Sequence, residues 1–122
     1  MLTKQQISDF RSNGVLVIEQ LITEGAIQKL RHRVEAIAAG QSAFPRNDME
    51  FEPGKEGHGL SIDYLRKLIN CAKNDDVFME HAKSPMLLDV IESLLGPDIK
   101  LLTDQLFMKP PGGMEKTYHQ DS

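Results

Sequence analysis

The residues with the clearest capacity for chemistry stand at the end of the sequence, where His119-Gln120-Asp121 sets an imidazole and a carboxylate two positions apart. On a strand, side chains two apart project to the same face. A histidine and an aspartate placed side by side are two of the three ligands of the 2-His-1-carboxylate facial triad, which holds non-haem Fe(II) and leaves adjacent coordination positions open. A tripeptide this short arises readily by chance, so its weight rests on its surroundings. The other histidines lack a metal motif. His32 sits between two arginines on an expected helix and reads as solvated, His58 falls in a loop, and His81 ends a short helix.

The elements that must position this pair follow from caps and periodicity. Thr3-x-x-Gln6 is a capping box that opens a short helix with Ile7 and Phe10 inward, closed by Gly14. Val15 to Ile18 reads as a buried strand. Thr23 caps a longer helix over 24–39, in which Ile27, Leu30, Val34 and Ile37 recur at helical spacing, and Gly40 stops it. Residues 41–59 are rich in glycine and proline and read as a long loop, either a rim over the metal pocket or a plain connector. Leu65, Leu68 and Ile69 predict a third helix near 62–72, and a short helical turn follows around 76–81. Ser84-Pro85 is a strong helix start, with Leu87, Leu88, Ile91, Leu94 and Leu95 on its apolar face and Gly96-Pro97 at its end. Two strands are expected at 99–102 and 105–109, before a Pro-Pro-Gly-Gly turn leads to the His-x-Asp segment. Helices first and strands last give an α+β fold class, with residues 1–122 as a single domain.

Composition excludes some partners. The chain has 122 residues, 40% hydrophobic and 26% charged, with a formal net charge of −4. No basic block is present, so nucleic acid is not expected as a partner. A single cysteine, Cys71, excludes an internal disulfide and fits a reducing cytoplasmic setting. No apolar run approaches the length that spans a bilayer, so no membrane partner is expected either. Oligomeric state is open.

The chain resembles the phytanoyl-CoA dioxygenase family of Fe(II)/2-oxoglutarate oxygenases. The resemblance is carried by Phe10-Arg-Ser-Asn-Gly14 leading into Val15-Leu-Val-Ile18, by Leu30-Arg-His-Arg33, and by Ser84-Pro-Met-Leu-Leu88 through Leu94-Leu-Gly-Pro97. It is completed by Leu106-Phe-Met-Lys-Pro-Pro-Gly112 followed by His119-Gln-Asp121. It implies N-terminal helices packed on the first strands of a double-stranded β-helix, a jelly roll that is incomplete in this chain. It also implies His119 and Asp121 as metal ligands for Fe(II), with 2-oxoglutarate as cosubstrate, O₂ as oxidant and a small-molecule substrate that is hydroxylated at a C–H bond. An aspartate at 121 favours hydroxylation over halogenation, because related halogenases keep a small residue there. Gln105 matches a position that contacts 2-oxoglutarate from an inner strand. Lys67 falls near another such position, although a solvated helix lysine is the ordinary alternative.

Two absences qualify that implication. No histidine follows His119 and no arginine follows Arg66, whereas the family places its second metal histidine, and an arginine for the distal carboxylate of the cosubstrate, downstream. The expectation is therefore the N-terminal portion of a hydroxylase, inactive by itself. A short interaction module derived from that family is the alternative, and an oligomer that completes the site across an interface is a third.

Overall fold

Helix boundaries follow the capping residues that the sequence supplies. In the computed structural model, which describes residues 2–120, α1 (Lys4–Asn13) starts at Thr3, whose side chain accepts from the Gln6 N–H while Gln6 reaches back to the Thr3 N–H. It ends at Gly14 in the left-handed region, φ +73°. Helix α2 (Glu24–Ala38) is capped by Thr23 as expected, and Gly40 follows with φ +72°. Helix α5 (Pro85–Leu95) begins with proline in its first turn and ends at Gly96, although the Ser84 hydroxyl makes no capping bond.

The middle of the chain departs from the expected helix over 62–72. In its place stand strand β2 (Leu65–Ile69) and the short helix α3 (Cys71–Asn74); strand β1 (Met49–Phe51) comes before them, and α4 (Asp76–Ala82) follows where the short helical turn is expected. With β3 (Gln105–Phe107), the strands make one antiparallel sheet in the order β1-β2-β3. The cause of the misreading is a β-bulge. Glu50 pairs with Lys67 but Phe51 pairs with Leu65, so Arg66 is an extra residue on β2. That insertion lets Leu65 and Leu68, three apart, both turn inward with no exposed surface. Three-residue spacing otherwise belongs to helices.

One face of the sheet packs on the helices. Ile37 from α2, Phe44, Leu68, Cys71, Ala72 and Phe78 form the buried core, with Met49, Leu106 and Met108 against it. Phe44 and β1 both lie in the stretch read as an irregular loop. Residues 15–18 and 99–102 form no strand, which corrects both expectations. They pair with no sheet edge, and Val17 and Leu102 are 80% and 94% exposed. No helix among the described residues is long and apolar enough to cross a membrane.

Polar ties join helices to sheet. Asp75, nearly buried, caps α4 by accepting from the Val77 N–H at 3.0 Å and takes the Arg33 guanidinium of α2 at 2.6 Å. Asp104, just before β3, accepts from the Ala72 N–H at 3.0 Å, and its carbonyl accepts from the Asn70 N–H at 2.9 Å. Asp75→Ala is expected to cost about 2–3 kcal/mol, since it removes a cap and strands a guanidinium, and Asp75→Asn less, since Asn still caps. Urea unfolding of the two variants checks the order.

Burial, reinforced by the neighbouring Asp104 carboxylate, pushes the Cys71 thiol up from 9.0 to about 12. A folded-state value above the unfolded one means stability that is complete below pH 9 and declines as pH rises toward 12. Alkaline unfolding should therefore be flatter in Cys71→Ala over that interval, and a thiol reagent should label Cys71 only on unfolding. Labelling at the rate of a free thiol in the folded protein would contradict this.

Candidate functional site

The sheet face away from the core carries the charged residues. By alternation and register, Glu50, Lys67, Ile69, Gln105 and Phe107 share it, since Lys67 opposes both Glu50 and Phe107 while Ile69 opposes Gln105. Lys67 is thus a strand residue and not the helix lysine of the sequence reading. Its side chain is only 12% exposed, with Nζ 2.7 Å from Glu50 Oε2 and 5.5 Å from the centre of the Phe107 ring. The hydrogen bond from Lys67 is the main cause that holds the Glu50 carboxyl below its usual range. Gln105 stands at the start of β3 on the same face, exposed. The sheet register therefore puts the two residues singled out as cosubstrate contacts on one face, on a diagonal two positions apart.

A connecting arm crosses this side of the sheet. The Met108 N–H donates to the Arg66 carbonyl at 2.8 Å, prolonging the β3 pairing by one bond. Pro110 and Pro111 have no N–H to donate, so the ladder stops there. A tight turn follows, with Gly112 at φ +76° and the Gly113 N–H donating to the Pro110 carbonyl at 2.9 Å. Beyond it the arm is fastened by side chains. The Met114 N–H donates to Glu52 Oε2 at 3.0 Å, and Arg66 Nη2 donates to the Glu115 carbonyl at 3.4 Å. Arg66 Nε also lies 3.9 Å from Glu50 Oε1, tying the arm to the Glu50–Lys67 pair.

His119 stands near the end of this arm, exposed, with Nδ1 3.3 Å from the Thr117 carbonyl oxygen. The segment leading to it is irregular and not the expected strand, and among the described residues it pairs with no strand. Asp121 lies outside the described residues. An imidazole nitrogen and a carboxylate oxygen are donors that Fe(II) accepts. Among the described residues no group of three or more His, Cys, Asp or Glu side chains comes together to hold a metal. His119 therefore fits such an ion as one member of a donor set and not as a whole site.

The sequence reading missed Glu50, Glu52 and Arg66, the residues that seat the arm. A signal for the first two exists: Met49-Glu50-Phe51-Glu52 alternates apolar and polar, the period of a half-buried strand. The glycines and prolines on either side masked it. Arg66 gave no comparable signal, since its position depends on the bulge.

Residues 10–122 match the family described as Phytanoyl-CoA dioxygenase (PhyH). The peroxisomal phytanoyl-CoA dioxygenase of Rattus norvegicus is 27% identical over 127 residues, which cover 99% of this chain and 37% of the relative, and that of Homo sapiens is 26% identical over 129 residues with the same coverage. The probable alpha-ketoglutarate-dependent hypophosphite dioxygenase of Stutzerimonas stutzeri is 24% identical over 121 residues, 99% of this chain and 42% of the relative. The chain thus spans about two fifths or less of the length of these relatives. No solved structure matches it. With a match that covers nearly its whole length, the chain belongs to the phytanoyl-CoA dioxygenase family.

Proposed function

We propose that this chain forms the N-terminal part of a non-haem Fe(II)/2-oxoglutarate-dependent dioxygenase that hydroxylates a small-molecule C–H bond. The observation that carries the reading is the charged sheet face, with Lys67 and Gln105 on neighbouring strands of that face and the His119-bearing arm fastened beside it. In this reading the three strands begin a jelly roll within one domain of which residues 1–122 are a part, and a second sheet covers the charged face. Exposed Phe107 and Tyr118 are apolar surface that such a layer would bury.

His119 and Asp121 would hold the metal together with a further histidine. When bound, the metal and cosubstrate supply the oxidation, coupling decarboxylation of 2-oxoglutarate with O₂ to hydroxylation of the substrate. The chain's own residues bind and orient. Lys67 offers an ammonium to a cosubstrate carboxylate, a charge-assisted contact, and Gln105 offers an amide from the adjacent strand. Because Glu50 already engages Lys67 at 2.7 Å, a carboxylate arriving there shares or exchanges that bond. The Lys67 ammonium lies over the Phe107 ring, 5.5 Å from its centre, a cation–π contact that adds to its hold. Cys71, a buried free thiol, fits a reducing cytoplasmic setting. Nucleic acid and membrane have no role in this reading.

The test is succinate formation from 2-oxoglutarate by the protein at its native length, with Fe(II) and O₂. His119→Ala and Asp121→Ala should each abolish turnover and weaken Fe(II) binding. Lys67→Met should raise the KM for 2-oxoglutarate about tenfold or more, the loss of one charge-assisted bond, and leave Fe(II) affinity unchanged. A native-length protein that binds neither Fe(II) nor 2-oxoglutarate would sink the reading and leave an interaction module in its place.

A further inference from the structure

Glu52 is the one place among the described residues where a side-chain polar atom is buried without a partner. The residue is 8% exposed, yet its Oε1 has no hydrogen bond. Its Oε2 accepts from the Met114 N–H at 3.0 Å, across 62 positions of sequence. A carboxylate sunk this far is costly unless it is bonded, so the fold keeps it at a price that another role must explain.

The surroundings show what it grips. Its backbone is held just past the end of β1, with the Glu52 N–H donating to the Tyr64 carbonyl at 2.8 Å and its carbonyl accepting from the Lys55 N–H at 2.9 Å. The root of the side chain is therefore fixed on both sides of its Cα. The arm comes down on it so closely that a Cβ on Gly113 would lie 3.1 Å from Oε1 and 3.0 Å from the Pro110 carbonyl oxygen. Only a glycine lets the backbone approach the carboxylate this nearly. Met114 is five residues before His119, so the latch fixes where the arm begins its run toward the metal-binding pair.

We propose that Glu52 is a positioning residue, a latch that sets the His119-x-Asp121 arm on the sheet through the Met114 N–H and the close approach of Gly113. Its link to metal binding rests on the function proposed above; the latch itself does not. The unbonded Oε1 is held against Gly113, where it limits how far the arm can shift.

The test is amide hydrogen exchange on the native-length protein, read alongside Co(II) affinity by titration. Glu52→Ala should speed exchange across 112–120, above all at Met114, about tenfold or more, as expected for loss of a bond to a charged acceptor. Exchange in α2 and β2 should stay as it is. Co(II) affinity should fall in the same variant. Glu52→Gln keeps an acceptor oxygen and should restore most of both. Should Glu52→Ala fail to fold, Gly113→Ala crowds Oε1 and the Pro110 carbonyl together without touching β1, and should loosen the arm while α2 and β2 stay as they are. Unchanged exchange at 112–120 in Glu52→Ala and Gly113→Ala would overturn the latch. A loosened arm with undiminished Co(II) affinity would overturn its positioning role. If the wild-type protein binds no Co(II), the functional reading fails while the exchange data still decide the latch.

Discussion

The extra residue at Arg66 is the constraint on which the sheet depends. Strand β2 must bury Leu65 and Leu68, which have no exposed surface, yet a regular strand sends residues three apart to opposite faces. Inserting Arg66 into the pairing with β1 resolves the conflict locally. The consequence reaches beyond packing. With both leucines turned inward, Lys67 projects from the opposite face toward Glu50 and Phe107, and Arg66 at the bulge reaches both Glu50 and the carbonyl of Glu115. Bulges re-aim side chains, and here the re-aimed ones are the cations of the charged face.

That face has its own energetic logic. Arg66 and Lys67 are already 13% and 12% exposed while Glu50 retains 36%, so the cluster is partly withdrawn from water without being fully buried. Charges in that situation need partners, because their desolvation is not offset by packing alone. Two cations share one carboxylate, Glu50, and Arg66 spends a further donor on the backbone of the arm. On the proposed reading, an incoming carboxylate finds a site whose cations are pre-positioned by a bulge and a register, both set by apolar burial on the other face.

What was legible in the sequence was largely local. Thr3 with Gln6, Thr23, Pro85 and the terminating glycines mark α1, α2 and α5 by side-chain chemistry that acts within one turn. In α2 the helical spacing marks the core face, with Ile37 buried and Leu30 and Val34 packed against the core. In α5 the buried residue is Val90, while Leu95, read as inward, is 74% exposed, and α1 buries no residue fully. What failed depended on partners distant in sequence. Leu65, Leu68 and Ile69 have helical spacing only because a bulge absorbs one residue, and nothing in that stretch announces the pairing with 49–51. Val15 to Ile18 has the composition of a strand without an edge to join among the described residues. The candidate site divides the same way. The His-x-Asp pair is visible as a motif, whereas its seat on Glu52 and Arg66 is a product of tertiary structure.

Sheet register therefore links the core to the candidate site more tightly than sequence distance suggests. Consider a slip of β2 by one residue against β1. Leu68 would turn to solvent and Lys67 would face Ile37, Phe44 and Phe78, where an ammonium finds no partner. Burying a charge among those side chains is far more costly than exposing a leucine, so the register is defended from both faces. The same defence holds Lys67 opposite Phe107 and keeps Gln105 two positions along on the adjoining strand. It also holds the Arg66 carbonyl in place for the Met108 N–H, the last ladder bond before the arm departs toward His119. The hydrophobic core, by fixing which way two leucines face, determines where the arm leaves the sheet.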